Sequence, residues 1–182
     1  VTVNAGSIGS FNMATFAGSN GLYNLSGTGQ FTSNKSEYIG DQGTGTFTQT
    51  GGANTIQGAG NHLYLGNAAS GVGNYSISGG TLTANNDVNV GVAGTATLNI
   101  SGTGSVYIGN SLAINATSNV NLNGGMLRLN TGSGLNRVNY TAGTVRLAGN
   151  RNLNNDAVIS VLFGPADYSI PTGKTLEIEQ VA

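Results

Sequence analysis

Apolar and polar residues alternate in short runs along this chain, and each run ends at a small residue. Tyr23-Asn24-Leu25-Ser26-Gly27, Tyr75-Ser76-Ile77-Ser78-Gly79, Leu98-Asn99-Ile100-Ser101-Gly102 and Val120-Asn121-Leu122-Asn123-Gly124 are copies of one pattern. Phe47-Thr48-Gln49-Thr50-Gly51 is a copy with Gln49 in an apolar slot, and Val1–Ala5 and Val138–Ala142 are copies with alanine at the corner. Side chains on a strand point alternately to opposite faces, so the alternation predicts half-buried strands. The corners at 5, 27, 51, 79, 102, 124 and 142 lie 18 to 28 residues apart. That step is too short for a βα unit or a propeller blade and suits one coil of a β-solenoid.

Aligning the copies predicts two inward columns. One is Val1, Tyr23, Phe47, Tyr75, Leu98, Val120 and Val138; the other is Val3, Leu25, Gln49, Ile77, Ile100, Leu122 and Tyr140. Between them runs an outward column of Thr2, Asn24, Thr48, Ser76, Asn99, Asn121 and Asn139. A second strand follows each corner, at Thr81–Thr83, Val106–Ile108, Met126–Leu129 and Thr144–Leu147. A third reads at Leu63–Gly66, Val88–Gly91 and Leu112–Asn115, with an imperfect copy at Glu37–Gly40 because Glu37 falls in an inward slot. The expectation is an all-β, right-handed parallel β-solenoid of about seven coils, roughly 20–25 residues each, with three short strands per coil. At a strand spacing of about 4.8 Å the stack would be about 30–35 Å long. Glycine suits the corners because it turns with φ > 0 and lets coils approach closely.

The pattern stops near residue 149. Residues 1–149 read as the repeat body and 150–182 as a closing coil or subunit-contact segment, with an apolar run at Ala157–Phe163 and an alternating strand towards Glu179. Both prolines of the chain and two of its three glutamates lie in that last segment, as befits an edge. The N-terminal end shows no equivalent cap. Val1 already stands inside a repeat, so the chain reads as a processed or excised segment.

Composition narrows the function. Of 182 residues only 7% are charged, against a typical ~25%. Asn, Thr and Ser carry the polar surface, an arrangement that points to an extracellular rather than a cytosolic protein. A net charge of −1 excludes electrostatic nucleic-acid binding as the main activity. There is no cysteine for disulfides or thiolate metal sites, and no apolar run long enough for a membrane span.

Two stretches carry a resemblance. Tyr38-Ile39-Gly40-Asp41-Gln42-Gly43-Thr44-Gly45-Thr46-Phe47-Thr48-Gln49-Thr50-Gly51-Gly52 is one; Leu63–Gly66 running on to Gly73–Gly80 is the other. Both resemble the glycine-rich repeats of bacterial autotransporter-like passengers and exported surface proteins, across roughly residues 20–149. The resemblance implies a right-handed solenoid at or beyond the cell surface, adhesive or structural, and carries over no catalytic residue.

Chemistry has few candidates. Asp and Glu number 7, and no two stand on adjacent copies of one strand position, as a carboxylate pair would need. No calcium-binding nonapeptide occurs, and neither a metal nor a cofactor is expected. His62, the only histidine, reads as an exposed loop residue without an acidic partner nearby in sequence. Arg128 and Arg146 occupy matching outward positions 18 residues apart, with Arg137 and Arg151 in the neighbourhood. They are candidates for contact with an anionic glycan or an acidic subunit; the alternative is a solubilising patch. Like charges one coil apart repel, so a counter-charge is expected. Asn24, Asn34, Asn74, Asn99, Asn115 and Asn139 begin Asn-x-Ser/Thr triplets and are candidate glycan attachment sites, although the repeat generates such triplets on its own.

These readings favour a non-enzymatic extracellular structural protein that self-assembles head to tail into a filament, sheath or surface layer. An adhesin or glycan-binding passenger fragment, with a glycan or cell-surface partner, is the alternative. A polysaccharide-active β-helix enzyme is a further one.

Overall fold

The computed structural model describes residues 3–5, 10–152, 155–164 and 170–179. It is all-β, with 60% strand and 6% helix, coiled as a β-solenoid of about five turns. Numbered along the chain, nine strands form one sheet: β1 (Val3–Ala5), β3 (Asn20–Leu25), β4 (Gln30–Ser33), β6 (Thr44–Ile56), β8 (Val72–Ala84), β10 (Thr95–Ile108), β12 (Asn119–Leu129), β14 (Val138–Ala148) and β15 (Lys174–Glu179). Six form the other: β2 (Phe11–Met13), β5 (Glu37–Ile39), β7 (Leu63–Leu65), β9 (Val88–Val90), β11 (Ser111–Ile114) and β13 (Thr131–Ser133). Each strand pairs in parallel with its counterpart one coil away.

The columns stack as the alternation requires. Tyr23, Phe47, Tyr75, Leu98, Val120 and Val138 are register partners, as are Leu25, Gln49, Ile77, Ile100, Leu122 and Tyr140. Their rings stack too: Tyr23 on Phe47 at 4.8 Å between centroids and Phe47 on Tyr75 at 4.5 Å and 7°. The opposite sheet supplies Ile39, Leu65, Val90 and Ile114 to the same core. Burying one such column removes large apolar side chains from water at every coil, each stabilising by about 1.5–3 kcal/mol.

Three features differ from the sequence reading. First, the glycine corner does not break the strand. In β6, β8, β10, β12 and β14 the first and second segments run on as one bent strand, with the register shifting at the corner. A bulge takes up the turn while the ladder persists on both sides. Second, Val3 does not stack on Leu25. β1 pairs with β4, placing Val3 beside Phe31 in the second-strand column. Val1 and Thr2 lie outside the described residues. Third, with β1 in that position and a helix after β14 where a third strand would follow, the end coils are partial, and the count is about five rather than seven.

The apolar run Ala157–Phe163 forms helix α1. Asp156 caps it, accepting from the amides of Val158 and Ile159 at 2.9 and 3.0 Å. Val158, Ile159 and Leu162 form its buried face, and Gly164, at φ 99°, ends it. The helix lies over the 3-10 turn Leu135–Arg137, and Phe163 meets Tyr140 edge-to-face at 5.5 Å. β15 then adds to the outer edge of β14. The Tyr140 hydroxyl fastens it, accepting from the Thr175 amide at 2.9 Å, while the Lys174 ammonium sits 4.8 Å above the Tyr140 ring.

Close approach at the corners makes glycine obligatory at some of them. Gly80 has φ 79°, and a Cβ there would lie 2.3 Å from the Gly52 carbonyl oxygen of the coil below. Gly60 has φ 72° but open space around it. Gly60→Ala is therefore expected to cost about 1–2 kcal/mol, from left-handed backbone alone. Gly80→Ala should cost distinctly more, because two coils must separate; urea unfolding of the two variants compares them directly.

Candidate functional site

The outward column of the second strands carries the charge. Thr32, Thr55, Thr83, Tyr107, Arg128, Arg146 and Glu177 follow one another coil by coil. Arg128 and Arg146 are register partners, and the counter-charge comes from β15. Arg146 meets Glu177, and the Arg128 Nε donates to Glu179 Oε2, each at 2.6 Å. The bond from Glu177 holds the Arg146 guanidinium above its ordinary range. Arg151 turns elsewhere: its guanidinium lies 3.0 Å from Asp156 and donates to the Ala148 carbonyl and to Asn130. Arg137 ends the 3-10 turn, outside the Arg128–Arg146 column. Three of the four arginines singled out in the sequence thus meet the chain's own acceptors, and the positive column is locally neutralised.

Beside these arginines lies a groove of about 330 Å³, lined by Thr81, Thr83, Asn85, Tyr107, Gly109 and Arg128 among others. It offers hydroxyls, an amide, one aromatic ring and a guanidinium already held in place by Glu179.

The outward column of the first strands is a ladder of amides. Asn139 Nδ2 donates to Asn121 Oδ1 at 2.8 Å, Asn121 to Asn99 at 2.7 Å, and Asn99 to Ser76 Oγ at 3.2 Å. This face carries no charge from Thr46 to Asn139. Among the candidate glycan sites, Asn24 and Asn34 are exposed and Asn74 is half-buried. The amide nitrogens of Asn99 and Asn139 belong to the ladder, and that of Asn115 donates to the Gly94 carbonyl at 2.8 Å. A sugar on any of these three would replace a hydrogen of a nitrogen already used for coil stacking.

His62 does have an acidic partner. Its Nδ1 sits 3.1 Å from Asp87 Oδ2 and 3.2 Å from the Asp87 amide nitrogen. The side chain is 22% exposed rather than free in solvent. Neutral, the nitrogen accepts the amide hydrogen; protonated, it donates to the carboxylate. Asp87 Oδ1 accepts in turn from Asn110 and the Ser111 amide, at 2.7 and 3.1 Å. Ser36, one coil earlier, directs its hydroxyl oxygen at the His62 backbone amide. These residues clip successive coils together. The partnership was visible in the repeat, because His62 and Asp87 both stand immediately before a third strand.

Inside the solenoid a polar cluster replaces the apolar pattern. Glu37 is fully buried, as its inward slot required, together with Gln49 and Asn54. Asn54 Nδ2 donates to Glu37 Oε2 at 3.0 Å and to the Tyr75 hydroxyl at 3.2 Å. Tyr75 donates to Gln49 Oε1 at 2.7 Å. Burial pushes Glu37 up to about 8 and Tyr75 well above its ordinary value. Asn54 could have been found by aligning Ala53-Asn54-Thr55 on Thr81-Leu82-Thr83, which sets it in an inward slot.

Comparison with protein-family models, curated proteins and solved structures finds no match to this chain.

The two Arg–Glu pairs are partly exposed, so each should contribute only about 0.2–1 kcal/mol. A double-mutant cycle on Arg128 and Glu179 should return a coupling in that range that shrinks with added salt. Replacing both Arg128 and Arg146 with alanine should raise amide exchange across 174–179 while leaving β8 and β10 protected.

Proposed function

We propose that this chain is an extracellular structural protein, a β-solenoid subunit that assembles end to end into a filament, sheath or surface layer. The observation that carries the reading is the edge of β3. This strand pairs with β6 and has no other partner strand among the described residues. Leu22 on it is 69% exposed, and Phe16 just before it 75%. An unpaired edge flanked by exposed apolar side chains is a template for another strand. At the opposite end the outer edge of β15 is unpaired among the described residues, and the two glutamates on that strand are neutralised by Arg146 and Arg128. A contact between two different ends is heterologous; it repeats rather than closes and so builds a fibre.

The surface supports the extracellular setting. Amide and hydroxyl ladders replace charge over most of it, as in the exported bacterial repeats that the sequence resembles. Catalysis has little to work with: the two carboxylates that share a strand face, Glu177 and Glu179, are both engaged by arginines.

A second reading, a glycan-binding surface module, rests on the groove beside Tyr107 and Arg128. There a sugar ring could stack on Tyr107 while its hydroxyls meet Thr83 and Asn85. Tyr107→Ala should then abolish retention on a glycan array without changing the thermal midpoint, whereas a wild-type chain with no array hits removes this reading.

For assembly, sedimentation velocity at rising concentration should show species growing beyond a dimer, and electron microscopy should show rods. Leu22→Lys places a charge on the open edge and should return the chain to monomer with its fold intact. A wild-type chain that stays monomeric at high concentration would sink the structural reading.

A further inference from the structure

Glu37 is the one carboxylate buried within the solenoid among the described residues, and the polar groups around it form a network one hydrogen short. Gln49 Nε2 donates to the carbonyls of Gly52 and Thr81, at 3.2 and 3.0 Å. The Tyr75 hydroxyl hydrogen goes to Gln49 Oε1. Asn54 Nδ2 spends both of its hydrogens, on Glu37 Oε2 and on the Tyr75 oxygen. Every side-chain donor of Gln49, Tyr75 and Asn54 is then used. Two acceptors are left without a hydrogen, Glu37 Oε1 and Asn54 Oδ1. They belong to the two side chains that the Nδ2–Oε2 bond already holds together.

We propose that Glu37 is held as a carboxylic acid whose Oε1–H donates to Asn54 Oδ1, closing a cyclic acid–amide pair, and that this pair is a pH-sensitive latch between the two sheets. One hydrogen satisfies both orphaned atoms. The ionised form would leave a buried charge with a single side-chain donor, an expensive arrangement in a dry core. Among the described residues, no cation offsets it from the elements packed around Glu37. β2 brings Phe11 and β7 brings Leu63 as its register partners, β6 brings Gln49 and Asn54, and β3 and β8 bring Tyr23 and Tyr75. Any charge on the two tyrosines would be negative. His62 lends only its carbonyl to the Glu37 amide, while its ring is turned to Asp87.

The geometry agrees with the direction in which burial moves this group, from 4.5 to about 8. A raised folded value means that the native state binds the proton more tightly than the unfolded chain. The stabilisation is complete below 4.5, declines as the unfolded chain ionises, and is gone above about 8, where the native acid releases its proton to water. The latch joins β5 of one sheet to β6 and, through Tyr75, to β8 of the other, so alkali should loosen the first coils before the later ones. The inference is independent of whether the chain assembles.

Glu37→Gln is the informative variant, since its amide can donate to Asn54 Oδ1 but cannot ionise. The wild-type thermal midpoint should fall, relative to that of E37Q, as pH rises from below 4.5 through 8. At neutral pH the folded wild-type chain should show an infrared carboxylic-acid C=O band that titrates away near 8 and is missing in E37Q. Should E37Q fail to fold, the band in the wild-type chain still decides the matter, and Glu37→Leu with Asn54→Leu supplies an apolar core that should be free of the pH effect. Absence of the band at neutral pH, or parallel pH profiles for wild type and E37Q, would overturn the proposal; a water molecule or cation would then be what satisfies the two oxygens.

Discussion

Coil stacking governs everything else in this molecule. In a parallel solenoid the nearest non-covalent neighbour of a residue is its counterpart one coil away, about 4.8 Å off. That single constraint acts on both the backbone and the side chains. It forces glycine where a carbonyl of the coil below would meet a Cβ, as between Gly80 and Gly52. It also brings like onto like. Aromatic rings stack on aromatic rings, amides on amides, and Arg128 on Arg146. Stacking of like groups stabilises for rings and amides, which carry complementary edges. It destabilises for charges, and β15 resolves that conflict by adding two glutamates alongside.

The same constraint explains what could be read from the sequence. Alternation plus a recurring corner set the register of the first-strand columns from Tyr23 to Tyr140, because only one alignment stacks the two alternating apolar positions of successive copies on the inside. It also located the outward position of Arg128 and Arg146 and the need for a counter-charge. The ends were harder. Val1–Ala5 matches the repeat in pattern, yet β1 stacks on Gln30–Ser33, because two of the three strand types share one alternation and a single short copy does not distinguish them. Ala157–Phe163 is apolar enough for a buried strand. Its helical state depends on the Asp156 cap and on the 3-10 turn beneath, neither of which is a repeat feature.

The functional groups were legible in proportion to how strictly they obey the repeat. His62 looked solitary because its partner is 25 residues on, but the column logic that aligned the core also aligns His62 with Asp87. The interior cluster is the reverse case. Gln49 and Glu37 stood out as exceptions to the pattern, and both proved to belong to one network that also takes in Asn54 and Tyr75. Coils with nearly interchangeable apolar columns could be stacked out of step. A polar group with a unique partner penalises every other stacking, at some cost in stability.

The ladder from Asn139 to Ser76 has a direction. Every amide in it donates towards the N-terminal coils, and Asn121 and Asn99 accept from the C-terminal side. Backbone hydrogen bonds between coils run both ways, as where the Gly66 amide reaches back to Ile39 while that of Glu37 reaches forward to His62. The side-chain amides do not cancel in this way, so their dipoles add along the axis. One face of an otherwise nearly neutral molecule thereby becomes electrically polar between β8 and β14, donor-ended towards β8 and acceptor-ended towards β14. Two rods laid face to face would gain by running antiparallel, whereas two joined in line would gain by running the same way.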